Sequence, residues 1–408
     1  MRIACALALF VAGCAHARPL FFDHSAQGWS PYRAHVARLD GDRYADVVWH
    51  QESEPSRTYV GLGTGDGGFV LPPPVDHPRA AVEAHVADVD GDGLDDLIRA
   101  RAADGALDLD VARATGDGGW HAPFAAVLPH ASLADWASAA GDVTGDGRAD
   151  LVVRWRDASG VGRLTAWVSS LGGAAWIAGP TLALDDAALA SVAGERALGV
   201  LLGDVTGDGR ADAVIVDAID AWRIRVASAD GRGGWASQRA LVLARDNWID
   251  APPELVVRAA TPPALLLADL DGDGASDLVL VEHRGAATRI RTVRADRTGG
   301  LGPDVREHEL GVLATHWAAG DFDGDGRDDL LACALGEHNV AQVLRSDGAG
   351  WREGPVSVHP AQGWAGYRPL VLDVDGDGRA DVAWNELGAL NRTYVAFGTA
   401  SGALDLRR

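Results

Sequence analysis

The chain has 408 residues and sets 36 basic against 58 acidic side chains, a net charge of −22. Hydrophobic residues make up 47% and charged residues 23%, which excludes a globally disordered chain. The acidic balance argues against nucleic acid as a partner, since the electrostatic attraction that dominates such complexes would be repulsion here. Every basic residue is Arg and there is one Met, a bias that reads as codon usage and not as chemistry. The 51 glycines favour a turn-rich, all-β chain.

Residues 1–17 read as a signal peptide, with Arg2 as the positive start and Ile3 to Val11 as the apolar stretch. Two endings fit. Val11-Ala12-Gly13-Cys14 resembles the lipobox of bacterial lipoproteins, in which Cys14 would be lipidated, and Ala15-His16-Ala17 fits the small-x-small site of ordinary signal peptidase. The expectation is an exported protein, either an outer-membrane lipoprotein or secreted/periplasmic, with any membrane contact made through that lipid. No other stretch reaches the roughly 18 apolar residues of a membrane span. With Cys5 and Cys14 in the leader, Cys333 is left alone in the body and reads as a small buried hydrophobe, so no disulfide framework exists.

Residues 18–408 are organised by one repeated unit. Asp88-Val89-Asp90-Gly91-Asp92-Gly93-Leu94-Asp95-Asp96 recurs at 142–150, 204–212, 269–277, 321–329 and 373–381, with a degraded copy at 38–46. The last Asp of each copy falls at 46, 96, 150, 212, 277, 329 and 381, intervals of 50 to 65 residues that match or slightly exceed a four-stranded propeller blade. A second landmark, a large apolar residue after a small-residue turn, follows 22 to 26 residues later at Phe69, Trp120, Trp176, Trp235, Leu301, Trp351 and Leu404. Length variation therefore falls between units, where Pro252-Pro253 and Pro262-Pro263 mark one of the longest insertions.

Within a unit, β-branched and aromatic runs such as Asp46-Val47-Val48-Trp49 follow the loop directly, and Arg57-Thr58-Tyr59-Val60 reads as the next strand. Gly65 to Gly68 and Gly116 to Gly119 supply the turn after it. Ala187 to Leu198 is the one helical temptation and reads as a short insertion. Seven units of four strands predict an all-β, seven-bladed β-propeller. Ala26-Gln27-Gly28-Trp29 matches Ala361-Gln362-Gly363-Trp364, and unit seven runs out where its fourth strand should begin, so Pro19 to His24 is expected to close the last blade.

Carboxylates at positions one, three, five and nine of the loop, with Gly at four and six, make a ring of hard oxygen donors around a tight turn, the donor type calcium takes. Six copies of so much charge in register need a counter-ion, so about six calcium ions are expected. The candidate ligands are Asp88, Asp90, Asp92 and Asp96; Asp142, Thr144, Asp146 and Asp150; Asp204, Thr206, Asp208 and Asp212; Asp269, Asp271, Asp273 and Asp277; Asp321, Asp323, Asp325 and Asp329; and Asp373, Asp375, Asp377 and Asp381. Thr144 and Thr206 replace a carboxylate and should weaken their loops. Unit one, with Arg38 at position one and Arg43 at position six, is expected to hold no metal, the Arg38 guanidinium bridging Asp40, Asp42 or Asp46 instead. Position twelve, where an EF-hand needs Glu, is Trp49, Arg99, Val153, Ile215, Leu280, Ala332 or Trp384, which excludes that motif. Loop ligand positions account for 25 of the 58 acidic residues, so much of the acidity is metal-site acidity.

Asp-x-Asp-Gly-Asp-Gly-x-x-Asp followed by an apolar strand resembles the FG-GAP repeat, also called the VCBS repeat, of integrin α-subunit propellers, over nearly the whole of 18–408. The resemblance implies that each loop joins the first two strands of a blade and binds calcium through positions one, three, five and nine plus one backbone carbonyl. The Phe-Gly and Gly-Ala-Pro elements are poorly kept, so the chain is closer to the bacterial VCBS variety. Family members include adhesion and ligand-binding proteins, lectins and polysaccharide lyases.

Three functions from different classes follow. A cell-surface binding or adhesion module needs only a rigid exported disc, and it is expected to be a monomer that meets a surface protein or glycan. A lectin is favoured by 14 Trp against 5 Tyr and 7 Phe, with Trp29, Trp136, Trp317 and Trp364 just before loops; Trp120, Trp176, Trp235 and Trp351 read more readily as inter-blade core. A lyase would need a base, for which His35, His85, His316, Tyr32-Arg33 and Tyr367-Arg368 are the candidates. No catalytic motif singles them out, and no catalytic residue is assigned.

Overall fold

The structure, a computed structural model, describes residues 20–21, 32–103, 105–129, 136–173, 175–184, 200–218, 221–244, 265–284, 287–297, 300–311, 314–334, 339–359, 367–386 and 392–405. The leader with Cys14, the insertion 187–198, Trp29, Trp364 and both Pro-Pro pairs lie outside these residues.

Each unit folds into an antiparallel sheet, and there are seven. Blade one runs Tyr32–Ala37, Asp46–Gln51, Ser56–Gly63 and a split outer strand of Phe69–Val70 and Val75–His77. Blade two runs Glu83–Ala87, Asp96–Ala103, Ala106–Ala112 and Phe124–Pro129. Blade three runs Ala137–Gly141, Asp150–Arg156, Gly162–Ser169 and the split pair Trp176–Ala178 and Leu182–Leu184. Blades four, five and six begin at Val200–Gly203, Leu265–Ala268 and Ala314–Gly320 and end at Trp235–Ala244, Leu301–Leu310 and Trp351–His359. Blade seven holds Tyr367–Leu372, Asp381–Glu386 and Arg392–Gly398. No helix occurs among the described residues.

The first strand of every blade touches the first strands of both neighbours, blade seven returning to blade one, so these strands form the inner wall of a closed ring. Burial is densest on the second strands. Asp46–Gln51 and Asp381–Glu386 are buried throughout, whereas outer strands leave Val127, Ile177, Val242 and Val358 exposed. Seven apolar clusters fill the seven blade interfaces, and the landmark residue of each blade packs into the interface with the preceding blade. Trp120 lies against Leu39, Val48 and Val60 of blade one, and Trp351 against Val281 and Ile290 of blade five. Stacked sheets must bury one face on each neighbour, and a large side chain at a fixed register fills the wedge between them. The landmark Trp residues are core, as the repeated register suggested.

The ring closes through the chain ends. Leu404–Asp405 pairs with Gly398 and Phe397, and Leu20–Phe21 pairs with Thr393 and Arg392, so the outer strand of blade seven is built from both termini. The expected closure holds at these two residues; Pro19 and 22–24 lie outside the described residues. Cys333 is buried and free, its thiol pushed up to about 12 by burial, as befits a core residue.

A chain starting at residue 25 lacks that closing pair. It should unfold at lower urea than one starting at residue 18, by on the order of 2 kcal/mol for two lost strand hydrogen bonds. Equal stability of the two chains would show that the N-terminal strand does not secure the last blade.

Candidate functional site

Six of the seven loops turn through two glycines at positive φ, as at Gly91 and Gly93 with +82° and +89°. These turns aim two backbone N–H groups at the first Asp. Gly91 donates to Asp88 Oδ1 at 2.7 Å and Gly93 to Oδ2 at 2.8 Å. The same pair of bonds orients Asp142, Asp269, Asp321 and Asp373, at 2.6 to 2.9 Å.

The ninth-position Asp has a second job that the motif did not reveal. It is fully or almost fully buried in all seven blades. Its Oδ2 accepts the N–H of loop position two, and its Oδ1 accepts an N–H at or just past the end of the third strand. The pairs are Leu39 and Gly63 on Asp46, Val89 and Ala114 on Asp96, Val143 and Ser169 on Asp150, and Val205 and Ala229 on Asp212. Leu270 and Ala295 on Asp277, Phe322 and Ser346 on Asp329, and Val374 and Gly398 on Asp381 complete the set. A signal for this role was present in the sequence: Asp46 persists in unit one although that loop has lost its first ligand.

Loops of adjacent blades are bonded to each other. The N–H of position eight donates to the carbonyl of position one in the preceding blade, at 2.6 to 3.0 Å: Asp95 to Arg38, Ala149 to Asp88, Ala211 to Asp142, Ser276 to Asp204, Asp328 to Asp269, Ala380 to Asp321 and Ala45 to Asp373. The seven bonds form a closed circle.

The carboxylates converge where four Asp residues are present. Asp88, Asp90 and Asp96; Asp269, Asp271 and Asp273; Asp321, Asp323 and Asp325; and Asp373, Asp375 and Asp381 each offer oxygens lying within 4.8 Å of one another. Asp92, Asp277, Asp329 and Asp377, the fourth candidates, stand outside these triads. In blades three and four the hydroxyls of Thr144 and Thr206 lie 3.2 and 3.3 Å from Asp142 and Asp204. The donor set is all hard oxygen, and Asp323 is 10% exposed with Oδ1 buried and unpartnered, so the loop residues fit a calcium ion. Burial is the main cause that pushes Asp46, Asp150 and Asp277 up to about 6 and Asp96, Asp329 and Asp381 up to about 7; the donated N–H bonds oppose it and neighbouring carboxylates add to it.

Unit one departs from expectation. Among the described residues Arg38 makes no ion pair with Asp40, Asp42 or Asp46; it is exposed, and its backbone N–H donates to Asp95 Oδ2 at 2.8 Å. The carboxylates are engaged locally instead: Asp46 accepts two backbone N–H groups, Asp40 Oδ1 accepts the N–H of Asp42, and Asp42 Oδ1 that of Tyr44.

The inner-strand polar groups lie toward the end of the ring away from the loops. Tyr32 and Tyr367 are buried, each edge-on to a tyrosine (Tyr59, Tyr394) at 5.6 Å, and serve as core. Arg33 pairs with Glu52 at 3.1 Å, and Arg368 donates to the Tyr32 carbonyl at 3.2 Å. Burial pulls His35 and His85 down to about 4 and lowers His316. His85 Nε2 is 2.7 Å from Ser138 Oγ, which also bonds Glu83. A carboxylate only accepts, so the single hydroxyl proton goes to Glu83 and Ser138 accepts from His85. That direction is the reverse of a histidine activating a nucleophile. Sequence reasoning missed Glu83 and Ser138, since a lone Ser or Glu carries no motif.

Trp136 and Trp317, expected near a sugar, are partly buried and packed on the inter-blade cores. A pocket of about 90 Å³ opens instead between blades five and six, lined by Thr292, Arg306, Glu307, His308, Ser346 and Trp351.

Seven sheets closed into a ring define a seven-bladed β-propeller with Asp-rich loops at one end. The chain belongs to the FG-GAP-like repeat family, which matches residues 38–99, 88–153, 269–332 and 321–384, together more than half of its length. No curated protein sequence matches it. Among solved structures, Sqt1 of Saccharomyces cerevisiae aligns over 90% of this chain and 84% of its own at 14% identity, with a TM-score of 0.50. A rhamnogalacturonan lyase of Bacillus licheniformis aligns over 92% and 91% at 14% identity, with a TM-score of 0.37. An AofleA mutant from Arthrobotrys oligospora aligns over 83% and 89% at 12% identity, with a TM-score of 0.45. The likeness to Sqt1 extends to the fold, and none of the three extends to function.

Two outcomes test the site. Asp46→Asn replaces one accepting oxygen by a donor facing an N–H, and should cost about 2 kcal/mol in urea unfolding, equally with calcium and with chelator. A loss that calcium restores would tie Asp46 to metal instead. His50 is fully buried beside Thr58 and is held down to about 3, chiefly by burial. A depressed histidine contributes stability that is present above pH 6.5 and is lost as pH falls toward the folded value. In excess calcium, acidification from pH 6.5 to 4 should therefore destabilise the protein, and His50→Gln should reduce the slope by up to about 1.4 kcal/mol per pH unit.

Proposed function

We propose that this protein is an exported, calcium-binding β-propeller that acts as a binding and adhesion module at the cell surface. The observation that carries the reading is the recurrence of carboxylate triads, oxygens within 4.8 Å, at one loop position in blades two, five, six and seven. Each of those loops takes one calcium ion. The loops of blades three and four, with Thr144 and Thr206 in place of a carboxylate, take one more weakly, and the loop of blade one takes none. Affinities in the range of about 10⁻⁴–10⁻³ M suit an extracellular module. Calcium stabilises the folded ring by binding it in preference to the unfolded chain, the part disulfides play in other exported proteins. The chain works as a monomer, reaches the surface by its leader, and is held there through Cys14 where that residue is lipidated. Its partner is a surface protein.

A second reading, carbohydrate binding, is favoured by the pocket between blades five and six. There the half-buried Trp351 stands beside Thr292, Arg306, Glu307 and His308, an apolar face with polar groups around it. Six calcium ions would offset about half of the net charge, and the pocket borders the loop of blade five through Leu270 and Arg294.

Ion counting by equilibrium dialysis against about 10 mM calcium should give about six calcium per chain, and chelator should lower the thermal midpoint. Zero bound calcium with an unmoved midpoint would overturn the first reading. A glycan array run with calcium and with chelator separates the partners: binding to a related set of glycans favours the pocket, and a blank array from folded, loaded protein favours a protein partner.

A further inference from the structure

The loops carry more negative charge than one divalent cation neutralises, and arginines are placed against the excess. In blades three, four, six and seven the seventh-position arginine pairs with the fifth-position Asp of its own loop: Arg148 with Asp146, Arg210 with Asp208, Arg327 with Asp325 and Arg379 with Asp377. Blade five has Ala275 at that position, and Arg297 reaches Asp273 instead, at 2.9 Å.

A second arginine appears only where position three is Asp. Arg113 reaches Asp90 at 3.2 Å, Arg294 reaches Asp271 at 3.2 Å and pairs more closely with the ninth-position Asp277, and Arg345 lies 3.6 Å from Asp323, all three from the end of the third strand. In blades three and four, where position three is Thr144 or Thr206, the corresponding residues are Val168 and Ser228. Blade seven has Phe397 at that place, and Arg43 of blade one lies over Gly376 between Asp375 and Asp377. The arginine is absent from both loops with Thr at position three, and also from blade one, where Asp40 has Leu62 at the corresponding place, and from blade seven. The loops keep an excess of carboxylates all the same, the largest in blades two and six, whose loops hold five Asp residues each with Asp95 and Asp328 included.

We propose that the third-strand arginines of blades two, five and six are built-in counter-cations that lower the excess negative charge of their loops, shifting their preference toward divalent over trivalent cations and holding the carboxylates together without metal. The inference rests on the calcium reading above. A purely structural arginine would be as useful opposite Thr as opposite Asp, and it is absent there. Arg345 approaches Oδ2 of Asp323 and leaves Oδ1 open, so pairing and ligation use different oxygens of one carboxylate. Like charges a few ångströms apart repel strongly at a partly buried site, and a nearby guanidinium penalises a trivalent ion more than a divalent one.

The test is the full chain with Arg113→Gln and Arg345→Gln combined, beside a version with Lys at both positions. Calcium and terbium are each titrated by calorimetry, and thermal midpoints are taken in chelator. The Gln variant should raise the terbium-to-calcium affinity ratio at two loops by about threefold or more. It should also melt earlier in chelator, and the Lys variant should restore both properties toward the parent. A parent chain that binds neither ion overturns the calcium reading itself. A parent that binds calcium, with the ratio and the chelator midpoint unmoved in the Gln variant, overturns only the charge-setting role. Should the double variant fail to fold, Arg345→Gln alone gives the same comparison at one loop.

Discussion

The circle of seven hydrogen bonds, position eight of one loop to the carbonyl of position one in the preceding loop, is the constraint on which the other features depend. Each loop must present its first carbonyl and its eighth N–H in the same places, and blade one does so although Arg43, at position six, lacks the positive φ of the glycines that stand there in the other six loops. This explains the degraded loop of blade one. Its first side chain is Arg38, yet a carbonyl is independent of the side chain, and Asp95 still donates to it. What blade one could not lose is Asp46, whose two accepted N–H bonds tie the loop to position two and to the third strand.

Each loop is therefore a junction of two connections with an ionic task added. It is bonded sideways to the neighbouring blade, and outward to its own third strand through the ninth carboxylate. Burying seven carboxylates is costly, and two charge-assisted bonds from backbone N–H groups offset that cost in every blade. The chain achieves this with Cys333 free and buried, so blade-to-blade order rests on the loop ring and the apolar wedges. The wedges explain the tryptophans better than ligand binding does. Trp120 and Trp351 close interfaces, and the fully buried Trp49, Trp222 and Trp384 sit in the sheets themselves.

The loop pattern was legible in the sequence because both its demands are local: glycines for the tight turn and carboxylates at fixed spacing. Blade number, strand count and closure followed from spacing alone, and the pairing of Leu20–Phe21 with the last blade agrees. The interloop circle was not legible, since it is made of backbone groups that any residue supplies. The ninth Asp looked like one more ligand, because its backbone partners stand up to 19 residues away along the chain. Arg38 was expected to bridge on charge complementarity alone, which does not fix where an exposed guanidinium lies. Trp136 and Trp317 stand at the expected register, yet a register does not say which side of a blade a side chain faces, and both turn into core. The Glu83–Ser138–His85 chain joins two blades and has no sequence signature at all.

Topology also decides where charge gathers. Every loop joins the end of a first strand to the start of a second, so all seven emerge on one face of the ring, and 25 of the 58 acidic residues emerge with them. The opposite end of the inner strands carries a mixture in which Arg33 answers Glu52 and His85 lies near Glu83. The two faces consequently differ in kind. One carries the Asp-rich loops and the arginines set against their carboxylates. The other is balanced by the protein's own side chains. Screening confines the effect of a bound ion to its surroundings, within roughly 8–10 Å at ordinary salt, so loading the loops alters one face of the disc and leaves the other as it was.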